Sequence, residues 1–183
     1  MYKPLLYIMI LSLLFLACSK EKRSVAHGQG GAFLQSEEIS LEGLRREGVD
    51  LNGDGKDDQI TYYENDVKRL VTRDINFDGV VDMLEYYENG VLIREESDLD
   101  FDAKLDLVVH YKDGKIESKE YSVDFMGTVH GRQIYNAQGQ LIRAERDTDG
   151  DGNMDEFEFY KPGQSEPYKV ERKGDSIESV PSQ

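Results

Sequence analysis

From Asp50 to Gly163 the apolar and polar positions recur with a period of 24 residues, 25 at the last step, in copies that begin DLNGDGKDD at Asp50, DINFDGVVD at Asp74, DLDFDAKLD at Asp98, SVDFMGTVH at Ser122 and DTDGDGNMD at Asp147. A fixed period of this length marks one supersecondary unit used several times. Numbering each unit from its first residue, column 2 (Leu51, Ile75, Leu99, Val123, Thr148) and column 8 (Asp57, Val81, Leu105, Val129, Met154) are mainly apolar. Column 11 holds Ile60, Leu84, Val108, Arg132 and Phe157, and column 13 holds Tyr62, Tyr86, His110, Ile134 and Phe159. Both alternate with more polar neighbours, which predicts a strand with one buried face. A tyrosine follows at Tyr63, Tyr87, Tyr111, Tyr135 and Tyr160, and then a turn pair: Asn65-Asp66, Asn89-Gly90, Asp113-Gly114, Gln138-Gly139 and Pro162-Gly163. Asn-Gly and Asp-Gly supply the positive φ of tight hairpins, so the chain reverses there into a second strand such as 91–95 or 140–144. The predicted fold is all-β: an antiparallel meander of about five 24-residue β-hairpin repeats over residues 50–172, with acidic loops along one edge. Residues 36–49 form an N-terminal cap or decayed half repeat, with Ile39 and Gly43 near the tyrosine and turn columns, and 173–183 a disordered tail.

The loops carry the candidate chemistry. Columns 1, 3 and 5 are Asp50, Asn52 and Asp54; Asp74, Asn76 and Asp78; Asp98, Asp100 and Asp102; and Asp147, Asp149 and Asp151. Column 9 adds Asp58, Asp82, Asp106 and Asp155, and column 7 offers the backbone carbonyls of Lys56, Val80, Lys104 and Asn153. A hard divalent cation takes six to eight oxygens, and this spacing lets a tight loop wrap them round one point. Gly55, Gly79 and Gly152 fill column 6, where the sharp turn lies, whereas Ala103 must take an unfavourable backbone angle, so the third site is expected to be weaker. In the fourth unit Ser122, Met126 and His130 replace the acids and only Asp124 is left, so this unit is expected to pack without metal through Val123, Phe125, Val129 and Ile134.

These loops resemble the EF-hand loop and its relatives in dockerins and thrombospondin type 3 repeats over columns 1 to 9 in four units. The resemblance implies three to four Ca²⁺ sites and a bidentate glutamate at column 12, matched by Glu85 and Glu158 but not by Thr61 or Val109. In a strand that column points away from columns 11 and 13. The Tyr-x-x-Gly hairpins resemble MORN-type repeats. Calcium is expected over magnesium, which keeps its waters, and over zinc or iron, which favour His and Cys. Affinities of about 10⁻⁴ to 10⁻³ M suit a structural role outside the cell. The alternative is that Asp, Asn and Gly mark turns by bonding their own backbone.

The net charge of -15 excludes nucleic acid as a partner. Lys3 precedes an apolar run from Leu5 to Ala17, short for a membrane span and placed as an export signal. Its end, Leu14-Phe15-Leu16-Ala17-Cys18, resembles the lipobox of bacterial lipoproteins, which implies a signal peptide over 1–17 and lipidation of Cys18. Residues 18–35 then form a flexible tether, and Ser19 points to the outer membrane under the enterobacterial sorting rule. Cys18 is the single cysteine, so no internal disulfide supports the domain.

The function expected from these features is a membrane-anchored envelope lipoprotein without catalytic activity, its repeats rigidified by calcium to bind an envelope or extracellular protein. No small-molecule cofactor is expected. The alternatives are an immunity- or inhibitor-type protein-binding module and a carboxylate-based hydrolase. Against the hydrolase, His27, His110 and His130 form no motif with a nucleophile, and a packed role is expected for His110.

Overall fold

The computed structural model describes residues 39–124 and 127–174. Eleven strands form one sheet in which every strand pairs antiparallel with its neighbours in the chain. They are β1 (Arg45–Val49), β2 (Gln59–Glu64), β3 (Val67–Arg73), β4 (Met83–Glu88), β5 (Val91–Ser97), β6 (Leu107–Lys112), β7 (Lys115–Tyr121), β8 (Gly131–Tyr135), β9 (Leu141–Arg146), β10 (Glu156–Tyr160) and β11 (Pro167–Arg172). Among the described residues there is no helix. Among the described residues all strand pairing lies within residues 45–172. The proposed signal peptide, Cys18, the tether and most of the tail lie outside the described residues.

Hairpin turns and acidic loops alternate along the chain and so fall on opposite edges. In the first three units the turn is two residues long, and Asn65, Asp66, Asn89, Gly90, Asp113 and Gly114 all have φ between 49 and 79°. Positive φ at both central positions matches the right-handed twist of the flanking strands. In each hairpin the register shifts just before the tyrosine of column 14, as between Tyr62 and Tyr63, Tyr86 and Tyr87, and His110 and Tyr111. The repeated bulge adds local twist to a sheet that, among the described residues, has no second layer.

Both faces of the sheet are covered, which corrects the expectation of one buried face. Tyr86 and Val108 are buried at columns 13 and 11, while Val71, Val109 and Ala144 are buried on the opposite face. The second face is polar in sequence because long side chains cover it in pairs. Arg73 bonds Glu85 at 2.6 Å, Tyr87 donates to Glu85 at 2.7 Å, and the Lys68 ammonium lies 4.8 Å from the Tyr87 ring centre. On the first face Glu96 is fully buried, receiving Arg94 Nε at 2.7 Å and the Tyr86 hydroxyl at 3.0 Å. His110 is half-buried beside Arg94, in keeping with a packing role. Cross-strand pairs of this kind, rather than a thick core, hold a single-layer sheet.

The cap is a half hairpin. A turn at 41–44, closed by Leu44 N–H to the Leu41 carbonyl, leads into β1, which pairs with β2 and is exposed throughout. At the other end Lys173 N–H bonds the Asp155 carbonyl just after β11.

Candidate metal centre

Column 9 organises each loop. Its N–H closes the loop base by donating to the last residue of the preceding strand, as from Asp58 to Val49, Asp82 to Arg73, Asp106 to Ser97 and Asp155 to Arg146, at 2.8–2.9 Å. Its carbonyl accepts the first N–H of the next unit, as from Asp74 to Asp58, Asp98 to Asp82 and Ser122 to Asp106, all at 2.8 Å. Its carboxylate then turns inward to accept the column 2 N–H: Asp58 from Leu51, Asp82 from Ile75 and Asp106 from Leu99, at 2.6–2.7 Å. Asp58, Asp82 and Asp106 are accordingly 4%, 1% and 1% exposed. Asp155 is half-buried and takes both the N–H and the hydroxyl of Thr148.

The remaining acids wrap the loop backbone from inside. Column 1 accepts the N–H groups near the turn, as Asp50 does from Gly53 and Gly55 and Asp147 from Gly150 and Gly152. Asp74 accepts from Asp78 and Gly79, and Asp98 from Phe101 and Ala103. Column 3 (Asn52, Asn76, Asp100, Asp149) accepts from column 5, whose acids (Asp54, Asp78, Asp102, Asp151) accept from the column 7 N–H of Lys56, Val80, Lys104 and Asn153. Column 1 engages both carboxylate oxygens in these bonds and columns 3 and 5 engage one side-chain oxygen each, folding each loop into a tight coil. Ala103 takes φ 68°, the left-handed angle of its glycine counterparts, so the third loop follows the same path.

Among the described residues two groups of three carboxylates could hold a metal ion, each with ligand atoms within 4.8 Å of one another: Asp98, Asp100 and Asp106 in the third unit, and Asp147, Asp149 and Asp151 in the fifth. The first is the more enclosed. Asp98 is 4% exposed, and Asp106 Oδ1 is buried with no hydrogen-bond partner among the described residues. Burial, opposed by the Leu99 N–H and reinforced by the charges of Asp100 and Asp98, pushes the Asp106 carboxyl above the ordinary range. Burial raises Asp98 as well, against the N–H bonds of its loop. Asp50 moves the other way, lowered by the Gly55 and Gly53 N–H groups. Asp147 is also lowered, its N–H bonds from Gly152 and Gly150 outweighing burial.

Not every expected ligand joins these groups. The Asp102 carboxylate is paired with the Lys104 ammonium, leaving column 9 to complete the third triad. In the first two loops column 3 is an amide, and Asn76 donates to Asp78 at 2.9 Å. Glu85 and Glu158 lie in strands and are engaged there, Glu85 by Arg73 and Tyr87 and Glu158 by Arg146 and the Tyr160 hydroxyl. The geometry of column 12 in β4 and β10 therefore directs them into the sheet's cross-strand pairing.

The fourth loop keeps both end bonds of column 9, with Asp124 its one remaining acid. His130 N–H closes the base on Tyr121, its carbonyl accepts Asp147 N–H, and Ser122 Oγ donates to Asp124. Val129 is 4% exposed and packs with Val108, Leu105 and Met154, so column 8 of three successive units meets in one apolar cluster. Val123, expected to pack, is 61% exposed instead, and Phe125 lies outside the described residues. Sequence reading missed the column 9 staple, which the invariance of the Asp-to-Asp spacing alone could have suggested.

No family model matches the chain, and the search of curated proteins finds no match. Among solved structures it is similar to accessory secretory protein 1, 2 and 3 of Streptococcus pneumoniae, with 15% identity over 66% of this chain and 22% of that one and a TM-score of 0.40. It is also similar to S. aureus TarM in complex with fondaparinux, α-GlcNAc-glycerol and UDP, at 11% identity over 62% of this chain and 21% of that one, TM-score 0.42. A third is the GtfA/B complex bound to UDP and GlcNAc, at 11% identity over 81% and 28%, TM-score 0.32. The chain thus spans between about a fifth and three tenths of the length of these matches. The expected lack of catalytic activity is corrected on this finding, because the neighbours are glycosyltransferase-related. At these identities and TM-scores the likeness assigns this chain no reaction, substrate or partner.

Proposed function

We propose that the chain is a calcium-binding β-repeat protein of the bacterial envelope, tethered by lipid on Cys18, in which calcium ions held within the acidic loops rigidify the repeat scaffold for binding or adhesion. The observation that carries this reading is the third loop. Burying Asp98 and Asp106 beside Asp100, with one Asp106 oxygen unpartnered among the described residues, is costly for carboxylates and is relieved by a cation. Turn chemistry alone accounts for the oxygens that accept N–H groups but gives no reason to bury one that accepts nothing. The donor set is all oxygen, with no His or Cys in either triad, which suits calcium better than zinc. The lipid anchor rests on the run Leu5 to Ala17 and its ending before Cys18.

Calorimetric titration of residues 19–183 with calcium and with magnesium tests the reading. About three to four calcium ions per chain are expected, with dissociation constants on the order of 10⁻⁴ to 10⁻³ M and little magnesium heat. Loss of about one equivalent in Asp106→Asn would place a site in the third loop. Absence of calcium heat in the native chain would overturn the proposal.

A further inference from the structure

The loop edge also displays a row of exposed apolar side chains that the sheet does not use. Column 2 contributes Leu51, Ile75, Leu99 and Val123, at 61, 50, 54 and 61% exposure. Column 4 contributes Phe77 and Phe101, at 47 and 44%. One repeat is two strands wide, so these positions recur about every 10 Å along one edge. Isolated exposed apolar residues are ordinary, but a regular row on one edge marks an interaction surface.

The two phenylalanines sharpen the point. Phe77 has φ 65° and Phe101 φ 67°, in the left-handed region that disfavours a large side chain. Column 4 is glycine in the first and fifth units, where Gly53 and Gly150 take φ 81° and 77°. The backbone therefore accepts glycine at this place at lower strain, and phenylalanine there is both strained and half exposed. Folding alone favours the residue that is not present.

We infer that this edge docks on an anionic phospholipid surface, its cation-filled loops bridging to headgroup phosphates while the column 2 and column 4 side chains enter the interface. This rests on the calcium reading above. Charge decides the occupant. Without cations the edge is a line of carboxylates, repelled by anionic lipid; with them, the triads leave coordination positions that three carboxylates cannot fill and that phosphate oxygens suit. Protruding apolar side chains beside such positions match an interface that is apolar below and anionic above.

The test is co-sedimentation of residues 19–183, which hold all eleven described strands, with vesicles of phosphatidylcholine alone or mixed with phosphatidylglycerol, in calcium or chelator. Melting curves are recorded in parallel. Binding is expected with phosphatidylglycerol and calcium only. The double variant Phe77→Gly, Phe101→Gly is expected to lose about tenfold or more in vesicle affinity while melting no lower than the native chain. If calcium raises the Tm but the protein stays in the supernatant, docking is overturned and calcium binding stands. If calcium leaves the Tm unchanged, both fall. Equal binding to neutral vesicles overturns the phosphate bridge, and a lower Tm in the glycine variant assigns the phenylalanines to packing between loops. A calcium-dependent dimer that the glycine variant abolishes, seen by sedimentation velocity without lipid, gives the row to a second copy and overturns the proposal.

Discussion

The third and fourth loops are closed by the same backbone bonds at their ends and differ in the side chains between them. In both, the column 9 N–H closes the loop base and the column 9 carbonyl receives the first N–H of the next unit. In the third loop Asp98, Asp100 and Asp106 converge; in the fourth, Ser122, Asp124 and His130 bond one another or nearby backbone. Apolar packing also crosses the boundary between them, where Leu105 and Val108 meet Val129. The fold is thus carried by backbone staples and column 8 contacts, and the carboxylate chemistry is laid over it. A unit can lose its acids and keep its place in the sheet.

The largest effect should come from breaking the packing on which the fourth unit relies. A Cβ at Gly131 would fall 2.3 Å from the Tyr121 ring, which lies across it from the neighbouring strand. Gly131→Val is expected to cost about 3 kcal/mol or more, equally in calcium and in chelator, by denaturant unfolding. An effect that calcium erased would mean the fourth unit is held by metal after all.

In the third loop the charge and the hydrogen bond of Asp106 can be separated. Asp106→Ala strands the Leu99 N–H and is expected to cost about 1–3 kcal/mol in chelator. Asp106→Asn keeps an acceptor but removes a charge whose folded pKa is raised, so it should melt higher than the native chain in chelator at neutral pH and gain less from calcium. A native-like calcium response in Asp106→Asn would take this residue out of the site.

Converting the fourth loop sharpens the comparison from the other side. Ser122→Asp, Met126→Asp and His130→Asp together restore the acids of columns 1, 5 and 9. One more calcium per chain is expected, with a gain of about 1.4 kcal/mol at a calcium concentration tenfold above its dissociation constant. Lower stability in chelator and no new binding would show that the loop's path, and not only its side chains, differs.

The smallest effects belong to the sheet and should ignore calcium. Glu85 and Glu95 face each other across β4 and β5. Burial raises Glu85, but Arg73 and Tyr87 outweigh it and hold its carboxyl below the ordinary 4.5, while burial and the Glu85 charge lift Glu95 above it. Stability from Glu85 is therefore present above pH 4.5 and lost as pH falls through its lower folded value. The ionised Glu95 instead costs stability above its raised value, and the cost disappears as pH falls below 4.5. Glu85→Gln should lower the neutral Tm and Glu95→Gln should raise it, both differences fading in acid. The Tyr87 hydroxyl, pushed up to about 12 by burial and by Glu85, stays a donor throughout.

Much of this architecture is legible in the chain. Period, hairpin turns and loop positions follow from residues whose local chemistry dominates, such as Asn89-Gly90, whose φ values of 49 and 79° the dipeptide itself favours. The second face of the sheet is not legible, because Glu85 reads as a metal ligand and Tyr87 as one of a column, and with Arg73 they become a covered surface only when paired across strands. In the loops, column spacing identifies the acids but not how each divides its oxygens between backbone and neighbours. That division sets Asp106 into the triad and Asp102 against Lys104. Nor does spacing reveal that Phe77 and Phe101 stand at left-handed positions, since most residues there would signal it only by being glycine.

Thermal melting of residues 19–183 in calcium, in magnesium and in chelator tests the central claim most directly. Cation-tied loops predict a higher Tm in calcium than in either other buffer, with a smaller calcium increment in Asp106→Asn and in Asp151→Ala. Three superimposable curves would contradict it and return the aspartates to the role of turn formers.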